Sequence, residues 1–271
     1  MSLITISQNL GSGGKKIAKR VAEGLDLELY DDARLQKEAV KSGVHSEDLK
    51  HLDEKMPNLF DRILGTDPKV YIDVMESVVY DVSKQGRGVI IGHCSQMLLR
   101  DFTCALHVRI NTSETKRIET LMRDQGINRE NAAKLIAKSD RELTNFYRYA
   151  FDMDLSNPSL YDIVLNTTKL SDETAAKHII ELATSDEIST CSLSALDAME
   201  KLAQKKKVEA ALLRNNVNLR TLEIEVHEKG KVSVSGLASS KLNAERIPEM
   251  IRAVSGIEEV TSSIVVVANG F

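Results

Sequence analysis

The first eighteen residues constrain this chain more than any other stretch. Leu3-Ile4-Thr5-Ile6-Ser7 reads as a short apolar strand, Gly11-Ser12-Gly13-Gly14 as a tight turn, and Lys15-Lys16-Ile17-Ala18 as a helix opening on two lysines. That order builds a phosphate cradle. The N–H groups at a helix start have no intrahelical partner, and the helix dipole favours negative charge there. Glycines at such a turn adopt positive φ and let backbone approach an anion without a Cβ in the way. The plain alternative is a strand-to-helix turn that holds no ligand.

The rest of the N-terminal two-thirds alternates strand and helix patterns. Lys15–Leu25 places Ile17, Ala18, Val21, Ala22 and Leu25 on one helical face. Leu27–Tyr30 is a second strand, ending at Asp31-Asp32. Helical segments run on to about Lys84, with Pro68 at a permitted first-turn position. Gly88–Gly92, Cys104–Ile110 and Tyr161–Asn166 read as buried parallel strands. The pattern predicts a three-layer α/β domain with a parallel sheet and the glycine turn at the carboxyl end of its first strand.

After a helix that starts beyond Ser171, the polar stretch 186–192 reads as a linker. It divides an α/β domain at 1–185 from a second unit at 193–271. That unit runs helix (Leu193–Leu213), hairpin (Thr221–His227 and Lys231–Ser235), helix (Leu242–Val254) and strand (Ile257–Val267), a small α+β pattern. Lys205-Lys206-Lys207 is most simply a solvated helix face.

Composition excludes several classes. The 271 residues are 42% hydrophobic, enough for a core, but 4% aromatic, so aliphatic packing must dominate. A net charge of −4 argues against a general nucleic-acid binder. No apolar run reaches membrane-spanning length, and the start shows no secretory pattern. Cys94, Cys104 and Cys191 have neither zinc nor disulfide-framework spacing, so a reducing cytoplasm is expected.

The turn departs from the P-loop pattern G-x-x-x-x-G-K-[ST]. With Gly14-Lys15 as the G-K pair, Asn9 replaces the first glycine and Lys16 the hydroxyl residue. With Gly11-Ser12-Gly13 aligned instead, Gly14 takes the lysine position. In neither register does a Ser or Thr stand where the Mg²⁺-binding hydroxyl should be.

From Ile4 to about Leu182 the chain nonetheless resembles the cytidylate kinase-like branch of the P-loop nucleoside monophosphate kinases. The marks are ITIS-x-x-x-GSGG-x-x-IA at Ile4–Ala18, LYDD at Leu29–Asp32, VIIG at Val89–Gly92, the segment Arg117–Arg148, and YDIVLNTTKL at Tyr161–Leu170. The resemblance implies a P-loop fold with a helical lid, and ATP with Mg²⁺ as cofactors. The implied reaction moves the γ-phosphoryl of ATP to a nucleoside monophosphate, a chemistry of positioning and charge neutralisation.

It also implies site roles. Gly11, Ser12, Gly13, Gly14, Lys15 and Lys16 would cradle ATP phosphates. Lys15, Arg141 and Arg148 would be catalytic, with Lys138, Arg141, Asn145 and Arg148 along one helical stripe of a closing lid. A solvated helix face is the bland reading of that stripe. Losing one charge-assisted hydrogen bond costs roughly 1.5–3 kcal/mol, or roughly 10- to 200-fold in rate. The degenerate turn would therefore impair a kinase without abolishing it. Asp31, Asp32, His93 and Arg100 would face the acceptor, with Arg123 a further anion candidate. Gly92-His93-Cys94 stands where cytidylate kinases carry G-R-D, so CMP specificity is not supported. The metal ligands stay unknown.

Residues from about Ser192 to Phe271 resemble a BON domain, through KVSVSGLASS at Lys231–Ser240 and AVSGIEEVTSSIVV at Ala253–Val266. BON domains are associated with envelope proteins and phospholipid contact. Here a cytoplasmic sensing or interaction role is expected, with a protein, a small ligand or a membrane surface as partner and a homo-oligomer left open. Two functional readings follow: a nucleotide kinase with an appended BON module, or a nucleotide-sensing or interaction protein that keeps the fold without the chemistry.

Overall fold

The computed structural model describes residues 2–41, 68–190 and 192–267. The chain forms two compact units. The first comprises residues 1–72 and 86–195, and the second 73–85 and 196–271.

The first unit is built on a five-stranded sheet of order β2-β3-β1-β4-β5. Its strands are β1 (Leu3–Gln8), β2 (Leu29–Tyr30), β3 (Gly88–Ile91), β4 (Ala105–Asn111) and β5 (Ile163–Asn166). All four pairings are parallel. The helices are α1 (Gly14–Leu25), α2 (Asp32–Lys41), α4 (Ser95–Leu98), α5 (Glu114–Gln125), α6 (Arg129–Phe151), α7 (Asp172–Ala183) and α8 (Asp186–Ser189); α3 spans Pro68–Ser83, and its greater part belongs to the second unit. The helical segments expected between Lys41 and Pro68 lie outside the described residues.

One sheet face makes the apolar core. Ile4, Ile6, Val89, Ile91, Leu106, Val108 and Ile110 pack against Ile17, Val21 and Ala22 of α1 and Ala175, Ala176 and Ile179 of α7. The other face of the two central strands is polar yet buried. Thr5 lies opposite His107 and Ser7 opposite Arg109, each pair joined by a side-chain hydrogen bond of 2.8 Å. β4 is buried and parallel as expected, although it carries a histidine and an arginine at alternate positions. The burial expected of β5 fails, because exposure alternates along it and Val164 is 42% exposed, as an edge strand allows.

Start and stop signals are local. Ser113, Asn128 and Ser171 cap α5, α6 and α7 by accepting from the N–H three residues on. Within the stretch read as a linker, Asp186–Ser189 forms one helical turn. Cys94 is a free buried thiol, whereas Cys104 is held in a disulfide. Cysteine usage therefore no longer argues for a reducing compartment. Cys191 lies outside the described residues.

In the second unit, α9 (Leu193–Arg214) and α10 (Lys241–Arg252) accompany a sheet of order β6-β7-β8. Its strands are β6 (Leu222–Glu228), β7 (Lys231–Ala238) and β8 (Glu259–Val266). The hairpin β6-β7 is antiparallel, and β8 returns parallel to β7 after the helix. Val208, Leu212, Ile224, Val232, Val234, Ile247 and Ile251 form its core. The lysine run is not the solvated face expected of it. Lys206 pairs with Glu76 and Glu209, and Lys207 with Asp81, at 2.7–2.9 Å. Burial opposes the charge on Lys206, but the two glutamates hold its pKa above the usual lysine value.

Candidate phosphate site

The turn between β1 and α1 is closed by the Ser12 N–H, which donates to the Asn9 carbonyl at 3.1 Å. Gly11 and Gly13 have φ of +80° and +82°, so both positions need glycine. Packing adds to that need. A Cβ on Gly11 would lie 2.8 Å from the Arg117 carbonyl oxygen, and one on Gly14 would lie 2.5 Å from Gln8 Oε1. The glycines thus admit neighbouring protein groups as well as the tight bend. Gln8 also accepts from the Ser12 hydroxyl at 3.3 Å.

A cavity of about 660 Å³ opens on this turn. Gln8, Leu10, Gly11, Ser12 and Gly13 line it, together with Lys15 and Lys16. Lys116 and Arg123 of α5 add cations, Glu119 and Asp124 of the same helix add carboxylates, and Ser171 and Asp172 stand at the start of α7. The size is that of a small-molecule site. The N-terminus of α1 and four cations outnumber three carboxylates around it, a lining that can take a polyphosphate together with a divalent cation. Among the described residues no group of three or more His, Cys, Asp or Glu forms a metal cage. Mg²⁺ is commonly held by one or two carboxylates plus substrate phosphates, and Asp172 lines the same space.

The two lysines are engaged by carboxylates. Lys15 Nζ lies 2.9 Å from Asp32 Oδ2, and Lys16 Nζ lies 3.7 Å from Asp124 Oδ2. Asp32 joins Lys15 to His93, whose Nε2 lies 2.7 Å from Asp32 Oδ1. Burial would raise the Asp32 pKa, yet His93 and Lys15 hold its carboxyl well below the usual carboxylate range. Lys15, Asp32 and His93 come from the ends of three neighbouring segments, so the carboxyl edge of the sheet carries one continuous polar chain. Gly92, His93 and Cys94 all have positive φ, from +53° to +75°. Two non-glycine residues in that region mark a strained position of the kind found at functional sites.

The other predicted residues fall elsewhere. Asp31 caps α2, its Oδ1 accepting from the Arg34 N–H at 3.0 Å. Arg100 is exposed beside Asp101. Arg141 and Arg148 are exposed on α6 and do not line the cavity. Phe146 and Tyr147 of the same helix are buried, and Tyr147 Oη accepts from Gln96. The C-terminal half of α6 therefore turns Phe146 and Tyr147 inward and Arg141 and Arg148 outward.

Sequence reasoning missed the residues that tie the turn down. Arg117 is 6% exposed. Its Nη1 and Nη2 reach the two oxygens of Asp140 at 2.7 Å each, and its Nε donates to the Leu10 carbonyl at 2.7 Å. Asn9 Nδ2 donates to the same carboxylate at 2.9 Å. Behind Asn9 stands Arg109, 5% exposed, donating to Ser7, Asn9 and Asn111 with its guanidinium 5.9 Å from the Tyr161 ring centroid. Burial lowers the Arg109 pKa. A charged residue inside an otherwise apolar strand pattern was the available signal for Arg109. Arg117 and Asp140 are distant in sequence and gave none.

Residues 3–169 match the cytidylate kinase-like family. The chain belongs to the cytidylate kinase-like family. Residues 202–268 match the BON domain. The cytidylate kinase of Pyrococcus horikoshii is 26% identical over 174 residues, covering 63% of this chain and 82% of that protein. The cytidylate kinase of Pyrobaculum islandicum is 28% identical over 174 residues, covering 63% and 86%. A crystal structure of an uncharacterized protein from Eubacterium ventriosum superposes with a TM-score of 0.54 at 19% identity, covering 68% of this chain and 99% of that one. The parallel sheet, the glycine turn and the helical pair α5–α6 thus form the cytidylate kinase-like part of a chain that also carries a BON domain. No helix among the described residues is long and apolar enough to cross a membrane.

Proposed function

We propose that the chain is an ATP-dependent phosphotransferase acting on a nucleoside monophosphate or a related small acceptor. Membership of a kinase-like family supports phosphoryl transfer in general. The observation that carries the reading is the cavity of about 660 Å³ on the glycine turn, lined by four cations, three carboxylates and a helix N-terminus. In this reading residues 1–185 form the kinase domain, 186–192 a linker and 193–271 the BON-like module.

The turn Gly11–Lys16 would hold ATP phosphates through its N–H groups. Lys15, bridged to Asp32, would orient charge between that turn and the acceptor side. Asp32 and His93 would receive the acceptor, with Asp31 fixing the start of α2 beneath them. Mg²⁺ would neutralise charge on the transferring phosphoryl group, with Asp172 the candidate carboxylate. Arg141 and Arg148 would have to approach from the exposed face of α6.

A second reading is favoured by the same site: a nucleotide-binding sensor with little turnover. Lys15 and Lys16 are already ion-paired, and no hydroxyl follows them. A coupled assay with ATP-Mg²⁺ and a panel of nucleoside monophosphates separates the two. Turnover that falls when Arg141 and Arg148 are both changed to alanine supports the kinase. Saturable ATP binding without turnover supports the sensor, and neither turnover nor binding removes both.

A further inference from the structure

Arg109 carries a full charge in the buried polar layer of the sheet, and every guanidinium nitrogen donates to a neutral side chain. Nη1 reaches Ser7 Oγ at 2.8 Å, Nε reaches Asn111 Oδ1 at 3.2 Å, and Nη2 reaches Asn9 Oδ1. Asp140 is close enough to be felt electrostatically, but both its oxygens are held by Arg117. Among the described residues Arg109 has no direct ion-pair partner, and holding a buried charge that way is costly.

Its position gives the charge a use. Asn9 is the first residue of the phosphate turn, and its carbonyl accepts the Ser12 N–H that closes the bend. Arg109 therefore grips Asn9 from the polar face of the sheet and places a positive charge beside the residue that opens the turn. The turn itself has Gly14 where a P-loop lysine would stand in one register. Low local dielectric strengthens the effect of a charge held at this depth.

We propose that Arg109 is a positioning residue for a bound polyphosphate: it fixes Asn9 and supplies beside it the positive charge that the glycine sequence lacks. The proposal rests on the reading of the turn as an ATP phosphate site. It predicts a charge effect confined to the phosphate end of a ligand, which a purely structural arginine would not produce.

The full-length protein, with Arg109→Lys, Arg109→Met and Asn111→Asp, is titrated with Mg²⁺-tripolyphosphate, ATP and adenosine by calorimetry. Asn111→Asp leaves the arginine in place and sets a carboxylate on its Nε, cancelling the charge with little change of shape. Arg109→Met is expected to weaken tripolyphosphate and ATP by about tenfold or more, the equivalent of one charge-assisted hydrogen bond. Adenosine binding should be unchanged, Arg109→Lys should recover most of the loss, and Asn111→Asp should weaken tripolyphosphate severalfold. Should Arg109→Met fail to fold, Asn111→Asp decides alone. Tripolyphosphate bound by Asn111→Asp as tightly as by the unmodified chain overturns the proposal, as does an equal loss for adenosine. An unmodified chain that binds neither ATP nor tripolyphosphate overturns both this inference and the phosphate-site reading.

Discussion

Arg117 grips Asp140 through two parallel hydrogen bonds of 2.7 Å, and the same guanidinium holds the Leu10 carbonyl. A bidentate arginine–carboxylate pair is shorter and stronger than a hydrogen bond between neutral groups. Here it joins the phosphate turn to the middle of α6, the helix read as a lid from its arginine stripe. Ile118, Leu121, Ala132 and Ile136 form an apolar seam between α5 and α6 on which Leu10 also packs. Turn and helix are fastened together, so movement of α6 must disturb the turn.

Removing Asp140 leaves the Arg117 charge buried without its partner. Asp140→Ala should lower stability by about 3 kcal/mol, the low end for a broken buried pair because Asp140 is 34% exposed. Urea unfolding measures it. The double variant Arg117→Met, Asp140→Leu should regain much of that loss, since replacing both partners avoids the orphaned charge.

Glycine substitutions discriminate between backbone and packing. Gly92 has φ of +75° with nothing within 4 Å of a built Cβ, whereas on Gly11 that atom would strike the Arg117 carbonyl. Gly92→Ala should cost about 1–2 kcal/mol for the left-handed backbone alone. Gly11→Ala should add about 1–3 kcal/mol of overpacking. Thermal unfolding of the two variants should show Gly11→Ala clearly the less stable.

Asp32 makes stability depend on acid. Its folded-state pKa is depressed by His93 and Lys15 despite burial. The stabilisation is therefore complete above the unfolded carboxylate value of about 4 and is lost as pH falls from there toward the depressed folded value. Asp32→Asn should flatten this decline. Chemical unfolding at pH 7, 4 and 3 should show the gap between the parent and Asp32→Asn narrowing as pH drops.

Much of the fold is legible in sequence because it is written in local periodicity. The strand β1, the start of α7 after Ser171, and the β6-β7 hairpin around Gly230 each declare themselves within a few residues. The site is legible only at its backbone. Gly11, Gly13 and the α1 N-terminus announce a phosphate turn, since positive φ and a helix start are local properties. The residues that organise it are not local. Arg109, Arg117 and Asp140 meet Asn9 and Leu10 only when the chain has folded, and the helical stripe that drew attention to Arg141 and Arg148 sits on an exposed face. Glu76 and Asp81 likewise meet Lys206 and Lys207 across more than a hundred residues, which no charge run reveals.

Backbone amide NMR of the full chain, titrated with ATP-Mg²⁺, tests the central claim most directly. Saturable shifts concentrated at Gly11–Lys16 and Asp172, reproduced by tripolyphosphate, are predicted. Saturable shifts confined to other residues, or none at any ATP concentration, would contradict it.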